Sequence, residues 1–178
     1  MTGHRHEAEV ERRVLGPAGL RYSYFPDADT DIRGPHNDGY QEFPKAGGEV
    51  ELRDVTRWSQ TESWAAGHLT STTTDLERSL HRLFRGRIVR GPALEEMFTM
   101  PRRPAHPDEA VPTFGSGWPG QYSAGRSVEH SQAIAFWGKS GSRYGYTTAV
   151  GATRDPPRSL VYSVNATDAK GRDLNRTA

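Results

Sequence analysis

The feature that most constrains this chain is a change of hydrophobic period late in its length. Leu76, Leu80, Leu83 and Phe84 fall at helical spacing on one face. Beyond a stretch full of Pro and Gly, residues 101–119, the period drops to two, and Leu160, Tyr162 and Val164 share one side of an extended segment. A chain that is helical first and alternating afterwards points to an α+β architecture, with helices and an antiparallel sheet in separate runs. The division expected is residues 1–100 as a helical part with a long irregular loop, 101–119 as a connection, and 120–178 as strands with a closing helix.

Individual elements follow from local signals. His6 to Leu15 reads as a short helix, with Val10 and Val14 one turn apart and Gly16-Pro17 stopping the pattern. From Pro17 to about Ser63 no period is sustained, so this part is expected to be an irregular excursion pinned by Tyr22, Tyr24, Phe25 and Tyr40. Thr74 with Glu77 fits a capping box at the start of the Leu76–Phe84 helix, and Gly86 suits its C-terminal end. Pro92 to Met97 reads as a second short helix. Strands are expected over Tyr122–Val128, Ala133–Ser140, Tyr144–Thr153 and Arg158–Val164, the last two joined by an Asp155-Pro156-Pro157 turn. Thr167 is placed to cap a final helix.

Composition enters by exclusion. There is no cysteine, so disulfides, thiolate metal sites and a cysteine nucleophile are ruled out. With 23 basic against 22 acidic residues the net charge is +1, which gives no field toward nucleic acid or an anionic membrane. No stretch approaches the roughly 20 apolar residues of a membrane span, and Met1 to His6 opens without the apolar core of a signal peptide. The basic residues are mostly arginine. Lysine occurs only at Lys45, Lys139 and Lys170, so a lysine in a suggestive place carries weight.

Lys139 is in such a place. Trp137-Gly138-Lys139-Ser140-Gly141-Ser142 leads into Tyr144-Gly145-Tyr146-Thr147-Thr148, and Leu160-Val161-Tyr162-Ser163-Val164-Asn165 follows. This resembles the Lys-Thr-Gly (or His-Thr-Gly) strand and its neighbours in serine-type D-alanyl-D-alanine carboxypeptidases and class C β-lactamases. Ser63-Trp64-Ala65-Ala66-Gly67-His68-Leu69-Thr70-Ser71-Thr72, then Asp75-Leu76, is similar to that family's Ala-Gly-x-x-Ser-Thr-x-x-Asp-Leu helix entry. Val14-Leu15-Gly16-Pro17-Ala18-Gly19-Leu20, then Tyr24-Phe25-Pro26, looks like its Leu-x-Pro-Leu-Gly-Leu-x-x-Thr-x-Phe segment. The three blocks stand in family order over nearly the whole chain.

The resemblance implies a partial β-lactamase/penicillin-binding (transpeptidase-like) fold and a serine hydrolase that forms an acyl-enzyme on D-alanyl-D-alanine peptides, esters or β-lactams, with no cofactor and no metal. Relatives of this kind work outside the cytoplasm. The expected substrate-binding residues are Lys139, Ser140, Gly141 and Ser142. The Lys139 ammonium attracts a substrate carboxylate, the Ser140 and Ser142 hydroxyls donate to it, and Gly141 lets a substrate backbone lie close. By the same resemblance the Ser142 backbone N–H is one oxyanion-hole donor.

The nucleophile of the family sits in a Ser-x-x-Lys motif, and none of the three lysines has a serine three places before it; those positions hold Glu42, Phe136 and Thr167. The family's Tyr-x-Asn or Ser-x-Asn motif is missing ahead of the first helix, and Ser163-Val164-Asn165 matches only in form, at the end of a strand. The expectation is therefore a C-terminal portion without a catalytic residue of its own and inactive alone, its sheet left with an open edge that favours association. The alternative is a non-enzymatic binding or complementing subunit that pairs with a separate N-terminal half. Ser116, in Gly115-Ser116-Gly117, is a weaker substitute nucleophile with no recognisable base.

Other motifs carry less. Gly138-Lys139-Ser140 resembles the end of a phosphate-binding loop, but Ala133 stands where that loop needs glycine. His4, His6, His36, His68, His81, His106 and His130 show no ligand spacing for a metal. Asn165-Ala166-Thr167 and Asn175-Arg176-Thr177 are formal glycosylation sequons that read as chance matches.

Overall fold

A computed structural model describes residues 2–98, 127–129, 135–154 and 157–167. The chain opens on a helical rod made of α1 (His6–Val10), a π-helical turn (Glu11–Leu15) and α2 (Gly16–Ala18). The rod runs past Gly16-Pro17, where a stop was predicted. Gly16 N–H donates to the carbonyl of Glu11, five residues back. This wider turn accommodates the proline, which has no N–H and would crowd a carbonyl in a regular helix. The end comes instead at Gly19 (φ 67°). There Gly19 N–H donates to Gly16 O and Leu20 N–H to Leu15 O, both at 2.9 Å, which is a Schellman cap. Leu15 and Leu20 join Ala18 and Phe25 in a buried core cluster, with Val10, Val14 and Ile88 packed against it.

The excursion predicted to be irregular contains a hairpin, β1 (Tyr40–Pro44) and β2 (Val50–Asp54), paired antiparallel. Its burial inverts the usual pattern. Gln41 is buried while Val50 and Leu52 are exposed, so the apolar residues do not mark an inward face.

A 3-10 segment (Thr61–Ala66) leads to α3 (Thr73–Phe84). Its N-cap is Thr72, not Thr74, and the Thr72 hydroxyl accepts from Asp75 N–H at 3.1 Å. Glu77 closes no capping box; its carboxylate accepts from Ser159 Oγ at 2.8 Å. At the other end Gly86 turns left-handed (φ 67°), a conformation that a Cβ would strain, and the helix stops where expected. The second short helix, α4 (Pro92–Met97), forms as read.

The main sheet is antiparallel in the order β3 (Ser127–Glu129), β4 (Ala135–Arg143), β5 (Tyr146–Thr153) and β6 (Arg158–Val164). The two-residue β7 (Ala166–Thr167) pairs with β1 in parallel. β4 runs three residues beyond the predicted end at Ser140, so Lys139-Ser140-Gly141-Ser142 lies wholly within a strand. α3 packs on β5 and β6 from the side of Ser159. Leu160, on the opposite face of β6, is 60% exposed. Phe84, Phe98 and Trp137 stack edge to face between helix and sheet, with centroids 4.9 and 5.0 Å apart. Arg154 lies over Phe98 and forks onto both carboxylate oxygens of Glu95 at 3.0 Å. These elements are the α+β arrangement predicted. The connection over 101–119, Ser116, most of the Tyr122–Val128 strand and the closing helix lie outside the described residues.

Candidate functional site

The three sequence blocks meet through particular atoms. Tyr24 and Thr70 exchange backbone hydrogen bonds at 3.0 Å, bridging the first block to the second. Asp75, fully buried, accepts from Tyr22 N–H at 2.7 Å and Ser23 Oγ at 3.0 Å, and faces Arg78 at 3.2 Å. The Arg78 guanidinium also donates to Gly19 O at 3.0 Å. This explains an aspartate three residues after the capping threonine: its N–H serves the cap and its carboxylate holds the preceding loop.

The second block meets the third through Arg143, at the end of β4. Its guanidinium donates to Ala66 O at 3.3 Å and lies directly over Gly67. A Cβ at Gly67 would come within 3.0 Å of that guanidinium, and the φ of +151° is one that side chains rarely adopt. The Ala-Gly pair is thus a seat for Arg143. The β4–β5 turn is fixed from the other side, where Tyr144 meets Trp58 edge to face at 5.4 Å and Tyr146 OH donates to Asn37 O at 2.7 Å. Burial pushes the Tyr146 phenol up, so it stays a donor well above neutral pH.

Between these anchors lies Lys139-Ser140-Gly141-Ser142. On one side β4 pairs with β5 from Phe136↔Thr153 to Arg143↔Tyr146. On the other, β3 pairs with β4 from Ser127↔Trp137 to Glu129↔Ala135, and among the described residues none pairs with 138–143 on this side. Strand alternation sets Lys139 and Gly141 on one face and Ser140 and Ser142 on the other. An anion that meets both the ammonium and a hydroxyl must therefore sit across the strand edge. Lys139 is exposed, with Nζ donating to Ser140 O. Among the described residues, a Cβ on Gly141 would meet nothing within 4 Å. Ser142 Oγ shares a 3.0 Å hydrogen bond with Thr147 Oγ1 across the β4–β5 pair. No step of nucleophilic catalysis is assembled here from the described side chains; the arrangement suits binding a carboxylate and an extended backbone.

The structure also gathers residues that linear spacing kept apart. His6 and Glu7 on α1 meet His68. No local signal announces this, because His68 lies more than sixty residues beyond His6 and Glu7.

The Beta-lactamase family model matches residues 1–178, and the chain belongs to that family. A D-stereospecific amidohydrolase from Streptomyces sp. superposes with TM-score 0.74 at 26% identity, over 96% of this chain and 46% of that one. A D-amino acid amidase from Ochrobactrum anthropi SV3, solved with D-phenylalanine, gives 0.65 at 20% identity, over 93% and 49%. An octameric penicillin-binding protein homologue from Pyrococcus abyssi gives 0.62 at 20%, over 91% and 34%. The latter two show the fold alone. The chain therefore spans about half, or less, of the length of these solved relatives, and its fold is part of the β-lactamase/penicillin-binding architecture. Among the described residues no helix is long and apolar enough to cross a membrane.

Proposed function

We propose that these residues form the carboxylate-binding wall of a serine hydrolase that acts on D-alanyl-D-alanine-type peptides or esters, or on β-lactams. The observation that carries the reading is the run Lys139-Ser140-Gly141-Ser142 on β4, beside which no second strand lies among the described residues, held in place by Arg143 on Ala66 and Gly67. Lys139 neutralises the substrate carboxylate, the hydroxyls of Ser140 and Ser142 donate to it, and the substrate backbone lies along the edge beside Gly141. The Ser142 N–H stands ready to donate to the carbonyl oxygen as charge develops there. No Ser-x-x-Lys motif, the family's activated nucleophile, occurs in the sequence. In this reading a separate polypeptide segment supplies it, and the chain by itself is not acylated. Peptide, ester and lactam substrates share the carboxylate and carbonyl that this wall addresses; the D-stereospecificity named for the Streptomyces amidohydrolase favours a D-configured terminus.

A second reading, a non-enzymatic complementing subunit, draws on the outer edge of β6. Among the described residues no strand pairs there, and Leu160 is 60% exposed.

The test is intact mass after incubation with a reactive penicillin. The chain alone keeps its mass. Mixed with a polypeptide carrying Ser-x-x-Lys and Tyr-x-Asn, the complex gains one drug mass, located on that polypeptide. Stoichiometric acylation of the chain alone refutes the reading.

A further inference from the structure

We infer that His6, Glu7 and His68 form a binding site for a divalent transition ion of zinc type. One ligand atom from each lies within 4.8 Å of the others. His68 Nε2 and Glu7 Oε1 are already 3.5 Å apart. Around tetrahedral zinc, with metal–ligand bonds of about 2.0–2.2 Å, neighbouring ligand atoms stand about 3.4 Å apart. The pair is thus at working separation, and the His6 ligand atom lies within 4.8 Å of both.

The surroundings prepare each ligand. His68 is buried, and its Nδ1 pairs with the carbonyl of Trp64. With that carbonyl as its partner, Nδ1 acts as donor and Nε2 is the ring atom turned to Glu7, the outer-shell arrangement common to metal-bound histidines. Glu7 divides its carboxylate: Oε2 takes Arg5 at 3.2 Å, and Oε1 turns to His68. Arg5 is itself held by Asp27 at 3.0 Å, which offsets its charge beside a cation. His6 Nδ1 is a buried polar atom with no hydrogen-bond partner among the described residues, and a buried nitrogen in that state calls for an ion or a water.

Two further observations converge on the same place. The three residues line a cleft of about 320 Å³ with His4, Arg5 and Trp64. The non-glycine residues of positive φ among those described are Asp27 and Trp64, and both line it. Trp64, at φ 29° and ψ −128°, is far from any relaxed region, and its carbonyl accepts from the His68 ring. Backbone held in such a conformation collects at functional sites. Three protein ligands beside an open cleft leave a fourth position for water or a small anion. The ion would also tie α1 to the Ala66-Gly67-His68 segment on which Arg143 rests.

The full chain, freed of metal with a chelator, is titrated with Co²⁺ and then with Zn²⁺. One equivalent of Co²⁺ is expected to give a visible band of four-coordinate intensity that Zn²⁺ abolishes. In the unaltered protein, one equivalent of Zn²⁺ is expected to shift the imidazole nitrogen resonances of His6 and His68 and to leave those of His36 and His81 in place. His6→Gln and Glu7→Gln, each checked for fold by circular dichroism in chelator, are expected to weaken Co²⁺ binding at least as much as the about 10–100-fold that loss of an outer-shell partner costs. His36→Gln leaves it unchanged. Absence of a one-equivalent Co²⁺ band, Zn²⁺ shifts at other histidines, or equal affinity in His6→Gln would each overturn the assignment.

Discussion

Replacing Asp75 with alanine tests how the first two sequence blocks are joined. The Asp75 side chain is wholly buried and is acceptor to Tyr22 N–H, Ser23 Oγ and the Arg78 guanidinium. In Asp75→Ala the Tyr22 N–H and the Ser23 hydroxyl lose their acceptor, and each such loss costs about 1–3 kcal/mol. Ser23 retains Ser71 Oγ at 2.8 Å, and Arg78 retains Gly19 O and partial exposure, so both losses fall toward the low end. The sum is about 3–5 kcal/mol, a large share of the 5–15 kcal/mol a domain possesses. At 2–4 °C per kcal/mol for a chain of this size, the melting midpoint falls by roughly 6–20 °C. Asp75→Asn keeps one carbonyl oxygen for Tyr22 and Ser23 but turns an amide N–H toward Arg78, so it is expected to lose about half as much. Thermal melts followed by circular dichroism read both. An Asp75→Ala loss below about 1 kcal/mol would show that the buried carboxylate does not hold these segments together.

Other predictions follow from single contacts. Gly67→Ala forces a Cβ against Arg143 at φ +151° and is expected to cost about 1–3 kcal/mol; a melt unchanged from the parent refutes the seat. Thr72→Ala removes the cap on Asp75 N–H and is expected to cost about 1 kcal/mol in urea unfolding, whereas Thr74→Ala, at the position the sequence favoured, costs little. Asp54 is held below its ordinary range by the Thr56 hydroxyl and the Thr56 N–H, and Glu95 by the fork of Arg154. Folded values below the unfolded ones mean this stabilisation is full above the ordinary 3.8 and 4.5 and disappears as pH falls through the lower folded values. Melting midpoints are therefore expected to decline in acid, less steeply in Asp54→Asn, and equal slopes in the two proteins contradict the assignment.

Much of this was legible in the sequence, and the failures have physical causes. The period of Leu76, Leu80 and Leu83 gave α3, because an amphipathic helix writes its burial into its spacing. β6 was read to the residue, and β5 within two of its start, since alternation and flanking turns agree there. The hairpin of β1 and β2 was hidden because it buries Gln41 and exposes Val50 and Leu52, against the pattern that reveals strands. Pro17 misled because a π-helical turn, set by tertiary packing of Leu15 and Ala18, absorbs it. The cap moved from Thr74 to Thr72 because four consecutive hydroxyl residues, Ser71 to Thr74, offer equal local chemistry. Only the tertiary demand of Tyr22 and Ser23 on Asp75 chooses among them. The Lys139 strand was found by motif, whereas the His6, Glu7 and His68 cluster joins residues that only the fold makes neighbours.

The most direct measurement is a titration of isotopically labelled protein with D-alanyl-D-alanine, followed by backbone amide resonances. Shifts are expected to centre on Lys139 to Ser142, with affinity reduced at least about tenfold in Lys139→Gln, the loss of one charge-assisted contact. Shifts confined to other strands, or equal affinity in the variant, would contradict the assignment of the β4 edge as a carboxylate site.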